Sequence, residues 1–420
     1  MEEVRKLHLF EAFGVELEYM IVDSATLDVR PVCDEVIRLA TGSIQSEVSF
    51  GPIAWSNELA AHVIELKTDG PAESLNGLSD LFLEHVRKIN ELAFENGWQL
   101  MPGAMHPWMN PDTEMKLWAH EYSPVYEAYN RIFDCRGHGW SNLQSVHLNL
   151  PFANDEEFGR LHAAIRLILP LLPAIAASSP VYGGKISKFA DSRMEFYRTN
   201  SARIPSLTAG IVPEPVFSRA EYDLKIFQRI YRDIAPLDSE GVLQDEFLNS
   251  RGAIARFGRG SIEIRVLDIQ ESPAADLAVV QIIIALLKKL VAEDWSSLQS
   301  QQSVPTGILQ SLMLESIRLA ENAIVTNPAI LRQFGRLEQA VPLADLWKTL
   351  AAELEEDNAE LRKLNEPGGP LNTILTSGTL SRRLLKQVGT TPTKARLHQT
   401  WDQLCDCLQS GSMFLPDSGD

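Results

Sequence analysis

Three stretches of the chain alternate apolar and polar side chains with a period of two. Over residues 13–22, Phe13, Val15, Leu17, Tyr19 and Ile21 share one face, while Gly14, Glu16 and Glu18 share the other. Over residues 146–150, Val146, Leu148 and Leu150 oppose Ser145, His147 and Asn149. Over residues 261–268, Ile262, Ile264 and Val266 oppose Ser261, Glu263 and Arg265. Strands with one apolar and one polar face predict an antiparallel or mixed sheet covered by helices on one side, with the other side free for a site. Helix signals accompany them. Residues 78–96 are amphipathic and stop at Gly97. Ser218 and Glu221 form a capping box ahead of a helix over 222–234. Ser272 and Pro273 supply a cap and a first-turn proline for a helix over 274–292. From about Pro305 onward the pattern is helical, with loops at 366–370 and 389–392. The expectation is an α+β chain: a unit over residues 1–300 and a helical extension over 301–420 packed on it.

Composition narrows the function. Of the 420 residues, 45 % are hydrophobic and 22 % charged, the mix of a globular protein. Two greasy stretches, 161–179 and 277–291, are broken by Arg166, Pro170 and Pro173 or carry Lys288 and Lys289. They read as buried helices rather than membrane spans. The first six residues lack the apolar core of a signal peptide. Cys33, Cys135, Cys405 and Cys407 have no zinc spacing and are too few to staple the chain, which fits a reducing, cytoplasmic location. A formal net charge of −18 argues against nucleic acid but not against a nucleotide held through metal ions. Homo-oligomerisation is left open.

The candidate chemistry lies on the polar faces. Glu16 and Glu18 would lie about 7 Å apart along one strand. Two such charges repel unless a cation sits between them, although a solvated face is the bland alternative. Glu65 interrupts an apolar run at 62–68, either as a ligand or as an edge-strand acid paired with Lys67. Glu58 reads as solvated. His147 shares its polar face with Asn149, and His106 sits in a turn-rich loop. Oxygen donors dominate and no zinc spacing occurs, which suits Mg²⁺ or Mn²⁺. Residues 251–265 gather Arg251, Arg256, Arg259 and Arg265 with Gly252, Gly258 and Gly260, a combination suited to phosphate or carboxylate oxygens. A second basic segment, 185–203, carries Lys188, Arg193 and Arg198 among few acids and is a candidate to hold a substrate carboxylate, with a mobile loop over the site as the bland alternative.

These motifs together resemble glutamate–cysteine ligase family 2, the carboxylate–amine ligases with a glutamine-synthetase-like fold. The matching pieces are Gly-Val-Glu-Leu-Glu (14–18), Val-Ile-Glu-Leu-Lys-Thr (63–68), Gly-Ala-Met-His-Pro (103–107) and Gln-Ser-Val-His (144–147). Ala-Ser-Ser-Pro (177–180), Ala-Asp-Ser-Arg (190–193) and Gly-Ser-Ile-Glu-Ile-Arg-Val-Leu-Asp (260–268) follow in order. The resemblance implies a curved, mostly antiparallel sheet whose concave polar face binds ATP and divalent metal, with residues 1–300 as the catalytic part. It implies that a substrate carboxylate attacks the γ-phosphate and an amine displaces phosphate from the acyl phosphate, as in glutathione biosynthesis. Glu16, Glu18, Glu65, His147 and Glu263 would be metal ligands, and Arg256 and Arg265 would act on the transferring phosphoryl group. Arg193, Gln144 and Arg259 would hold substrate, glutamate as the acid and cysteine as the default amine. Ser145 stands where many relatives carry a histidine, and Glu58 does not align cleanly with their upstream acid. A metal-dependent amide hydrolase and a non-catalytic nucleotide- or amino-acid-binding protein are the alternative functions.

Overall fold

The computed structural model describes residues 6–417, so residues 1–5, on which the signal-peptide expectation chiefly rests, lie outside it. In chain order the elements that build the site are β1 (Gly14–Asp23), β2 (Glu47–Ser49), β3 (Ile53–Asn57), β4 (Val63–Thr68), α1 (Leu78–Ala93) and β5 (Trp98–Met101). Next come α2 (Ser123–Phe133), α3 (His138–Ser141), β6 (Ser145–Pro151), α4 (Asp155–Ile168) and α5 (Ser192–Asn200). Then follow β7 (Ala253–Arg256), β8 (Ser261–Asp268), α6 (Pro273–Val291), α7 (Leu343–Leu354), α8 (Leu380–Val388) and α9 (Lys394–Ser410).

The eight strands form one antiparallel sheet in the order β2-β3-β4-β1-β6-β8-β7, with β5 also pairing to β1. Strand β1 is the axis. It pairs with β4 along one edge, while its other edge is divided between β6 at Gly14–Leu17 and β5 at Met20–Asp23. The alternation expected from the sequence is present. Val15, Leu17, Tyr19, Leu148, Leu150, Ile262 and Ile264 are fully buried beneath α1, α4 and α6, which pack together on the apolar face. Burial of such side chains is the main favourable contribution to folding.

Several local expectations resolve in detail. The amphipathic segment is α1 followed by a short 3₁₀ turn that ends at Gly97, whose φ of 69° suits a glycine. Ser218 caps as expected, its Oγ accepting from Glu221 N, and Glu221 reaches back to accept from Phe217 N. Ser272 has the cap conformation, but its hydroxyl makes no capping bond. The prolines of 161–179 split that stretch into α4, a 3₁₀ turn and a short helix, and Leu277–Val291 lies within the buried α6. Among the described residues no helix is long and apolar enough to cross a membrane. The segment 185–203 is a hairpin end followed by the regular helix α5, rather than a loop.

The core is continuous across position 300: Trp347 of α7 is buried in it and donates its Nε1–H to Leu171 O at 3.0 Å. Helix α9 packs on α1 and β5. A buried ion pair fastens the C-terminal segment to the sheet. Arg383 of α8 pairs with Glu271, just beyond β8, and also donates to Phe414 O at 2.6 Å. Phe414 N donates to the same carboxylate at 3.2 Å. Both charges are shielded from water, so removing one partner strands the other. Arg383→Leu should therefore destabilise the protein by about 3–5 kcal/mol. Chemical denaturation would show this as a lowered midpoint, and an unchanged midpoint would contradict it.

Candidate active site

The polar face of the sheet brings the acids expected from the strand phases into one cluster. Glu16 lies opposite both Lys67 and His147, Glu18 lies opposite Glu65, and Glu263 lies opposite Asn149. Donor atoms of Glu16, His147 and Glu263 fall within 4.8 Å of one another, and so do those of Glu18, Glu65 and His147. His147 thus joins two adjacent groups. Its Nδ1 sits 2.8 Å from Glu16 Oε2, and its Nε2 sits 3.0 Å from Ser145 Oγ. Ser145 in turn donates from N and Oγ to Glu18 Oε2, at 2.7 and 2.9 Å. Asn149 Nδ2 donates to Glu16 Oε1 at 3.0 Å. The close approach of β1 and β6 here requires Gly14, since a Cβ would come within 2.9 Å of Asn149 Cβ.

Electrostatics sharpens the picture. Burial alone would raise the Glu16 carboxyl, but the hydrogen bond and charge of His147, with Lys67 and Arg265, bring it down to about 2. Burial and then the neighbouring Glu16 charge push Glu65 up to about 7. Burial works against a charged His147, yet its bond to Glu16 and the two carboxylates raise it above its ordinary value. Carboxylates stacked this closely without a counter-charge oppose one another, and the donor set of oxygens plus one imidazole fits a hard divalent cation. Lys67 covers part of the deficit, at 2.7 Å from Glu47 and 3.2 Å from Glu65.

Beside the cluster stands Glu263 between two arginines. Arg265 Nε is 2.7 Å from Glu263 Oε1, and Arg256 is 3.5 Å from Oε2. Arg265 occupies a β-bulge, where the register between β8 and β6 slips by one residue after Ile264. The strand period sets Arg265 on the polar face beside Glu263, and the bulge begins there. Residues 257–260 link β7 to β8, and Gly260 takes a φ of 66° at the end of the turn. This hairpin carries Arg259 over the site.

A cavity of about 500 Å³ lies on this face, and Glu18, Glu65, His147, Arg193, Arg256, Arg259 and Arg265 all line it. A second cavity, of about 740 Å³, adjoins it and is lined by Glu16 together with Phe13, Phe152 and Phe257. Lys67, Glu47 and Arg259 line both. The outer wall of the first cavity comes from α2, α3 and α5, so short helices partly roof the polar face while the core helices cover the other.

Not every expected residue behaves as its spacing suggests. Arg251 points into the core, where Glu214 pairs with it at 2.6 Å, so the arginine window holds three site arginines rather than four. Arg193 reaches the cavity edge but is fixed by Asp268 at 2.5 Å and by the carbonyl of Arg265 at 3.2 Å. Gln144 is fully buried and does not line the cavity, and its side-chain amide has no hydrogen-bond partner. His106 is buried against Leu27 O at 2.7 Å, and burial pushes its pKa down to about 4. Glu58, read from sequence as solvated, is brought to the cavity instead, and burial with Glu65, Glu18 and Glu16 pushes its carboxyl well above the usual range. An acid seven residues before Glu65 was the only sequence signal for it, since the turn between β3 and β4 has no period.

Known proteins resemble this chain in sequence and in fold. The model of glutamate–cysteine ligase family 2 matches residues 12–402. An uncharacterised protein of Archaeoglobus fulgidus is 36 % identical over 280 residues, which are 67 % of this chain and 75 % of that protein. The glutamate–cysteine ligase of Francisella tularensis, solved in complex with AMP, superposes with a TM-score of 0.62 at 11 % identity, over 97 % of this chain and 90 % of that one. A bifunctional glutathione synthetase from Pasteurella multocida superposes with a TM-score of 0.54 at 14 % identity, over 96 % of this chain and 52 % of that one. The last two likenesses concern the fold, an open antiparallel sheet with one polar face. By the match that spans nearly its whole length, this chain belongs to glutamate–cysteine ligase family 2.

Proposed function

We propose that the protein is an ATP-dependent carboxylate–amine ligase that takes glutamate as the acid and forms a γ-glutamyl amide through an acyl phosphate. The observation that carries this reading is Glu263 set between Arg256 and Arg265 while belonging to one of the two carboxylate–histidine groups that share His147. Divalent metal, Mg²⁺ or Mn²⁺, would be held by Glu16, Glu18, Glu65, His147 and Glu263, and when bound it neutralises charge on the phosphate oxygens. The cavity rimmed by Phe13, Phe152 and Phe257 offers apolar faces for an adenine ring, and Arg259 and Lys67 stand where it meets the acid cluster. Arg256 and Arg265 present fixed donors to the charge that develops in phosphoryl transfer. An oxygen of the substrate carboxylate bonds to the γ-phosphorus, and the bond to ADP breaks with its electron pair. The amine lone pair then bonds to the acyl carbon, the carbon–oxygen bond breaks, and phosphate leaves. Four cysteines without disulfides suit a cytoplasmic setting.

The test is ADP release with Mg²⁺, glutamate and hydroxylamine, a small nucleophile that traps an acyl phosphate as hydroxamate. Metal-dependent ADP and hydroxamate in equal amounts are expected. Amide hydrolysis without ATP, or ADP with no hydroxamate, would contradict the ligase reading.

A further inference from the structure

Arg193 is held unlike the other cations of the cavity. It lies in the first turn of α5 and lines the cavity, yet it is almost wholly shielded from bulk water. Behind it stands Asp268, the last residue of β8, whose carboxylate has no exposure. Asp268 Oδ1 accepts from Arg193 Nε at 2.5 Å. Its Oδ2 accepts from Ser178 N and Ser179 Oγ, both at 2.8 Å, and Ser179 Oγ in turn accepts from Arg193 N at 3.0 Å. A second acid, Asp191, caps α5 by accepting from Met194 N at 2.9 Å. Burial and then the Asp268 charge push the Asp191 carboxyl well above the usual range, so a single negative charge faces Arg193.

The two terminal nitrogens of the guanidinium differ. Nη2 donates to Arg265 O at 3.2 Å. That carbonyl belongs to the bulge, where neither Arg265 nor Val266 has a ladder partner on β6. Nη1 makes no hydrogen bond among the described residues, and it is the donor left for a ligand. The start of α5 is fastened as well, since Asp191 N donates to Ile317 O at 3.0 Å and Ser192 N to Ser179 O at 3.2 Å. A charged fork fixed in this way by buried partners is oriented before a ligand arrives.

We propose that Asp268 is a positioning residue, which sets the Arg193 guanidinium to grip a second, non-reacting carboxylate of the acid substrate. This inference rests on the ligase reading above and deepens it. Arg256 and Arg265 stand at the phosphoryl group, and Arg193 is tied to the backbone of Arg265. One small acid is thereby read at both ends, its reacting carboxylate beside Arg265 and its other carboxylate at Arg193. The substrate class is a dicarboxylate. An acid with one carboxylate leaves the Arg193 donor unmet.

The test compares glutamate with 4-aminobutyrate, which keeps the reacting carboxylate and the amino group but lacks the other carboxylate. Each serves as the acid in ADP release with Mg²⁺, ATP and hydroxylamine, so the natural amine does not enter. The wild type should prefer glutamate in kcat/KM by about 30-fold or more, the worth of a hydrogen bond to a charged group. Asp268→Asn keeps the shape and loses the charge. It should cut the preference to within about threefold, chiefly through the KM for glutamate, with the KM for ATP little changed. A merely structural role would lower both acids alike. Ser179→Ala removes one bond to Asp268 and leaves both charges paired, so it decides the matter where Asp268→Asn does not fold. It should reduce the preference by about threefold. Equal losses for the two acids, a full preference in the variants or no preference in the wild type would overturn the inference and leave the ligase reading standing. No ADP from the wild type with either acid counts against the ligase reading instead. Calorimetric titration of both acids into wild type and Asp268→Asn then decides the grip: selective loss of glutamate affinity, by about tenfold, supports it, and equal loss or none overturns it.

Discussion

Arg265→Lys should lower kcat by about 10²-fold or more while changing the KM for ATP only slightly. The lysine keeps the charge but loses the planar fork, and its single ammonium cannot meet Glu263 and a phosphoryl oxygen together. Arg265 is also held by its ion pair with Glu263, so its donors are aimed before substrate arrives. Glu263, 2.7 Å away, raises the affinity of the guanidinium for its proton even though burial opposes this, so the group is a permanent cation. If Arg265 served only to neutralise Glu263, lysine would substitute with near-normal turnover. Steady-state kinetics beside a thermal melt distinguishes these outcomes, and near-normal kcat would remove Arg265 from the phosphoryl-transfer machinery.

The second large effect is on metal. Glu18→Gln and Glu16→Gln should each weaken metal-dependent nucleotide binding, by about 1–3 kcal/mol if each removes one charged partner. Neither should unfold the protein. Glu18 and Glu65 face each other across β1 and β4, so removing one charge relieves repulsion in the metal-free state. The metal-free Glu18→Gln variant should therefore melt at or above the wild-type temperature, whereas Glu16→Gln loses its pairing with His147 and should melt below it, and Mg²⁺ stabilises the wild type more than either variant. Calorimetric titration of Mg–ATP, with melts in chelator and in Mg²⁺, measures both sides. Wild-type affinity in both variants would remove these acids from the metal site.

Much of the sheet was legible because a half-buried strand writes its two faces into every second residue. That is why Glu16, Glu18, His147 and Glu263 fell on the polar side without any knowledge of the fold. Glu65 was legible as an acid breaking an apolar run, though its facing partner Glu18 was not. Three things left no periodic trace. Arg251 is consumed by Glu214, thirty-seven residues away, and only packing reveals that. Glu58 sits in an aperiodic turn, so nothing in the spacing told inside from outside. The aromatic residues that line the cavity come from separate elements between positions 126 and 247, and only the fold brings them together.

The pair between Glu271 and Arg383 carries a consequence for synthesis on the ribosome. Glu271 emerges directly after the last strand of the active-site sheet, but its partners Arg383 and Phe414 are made more than a hundred residues later. Until they arrive, a carboxylate with no exposure in the finished protein has no cation, and a buried charge without one is costly. The nascent sheet can align its strands early, yet this end must stay open to water. Closure of this end of the sheet is thus tied to the last helices to be translated, and a chain that stalls before residue 383 would expose an unfinished sheet end to chaperones and proteases.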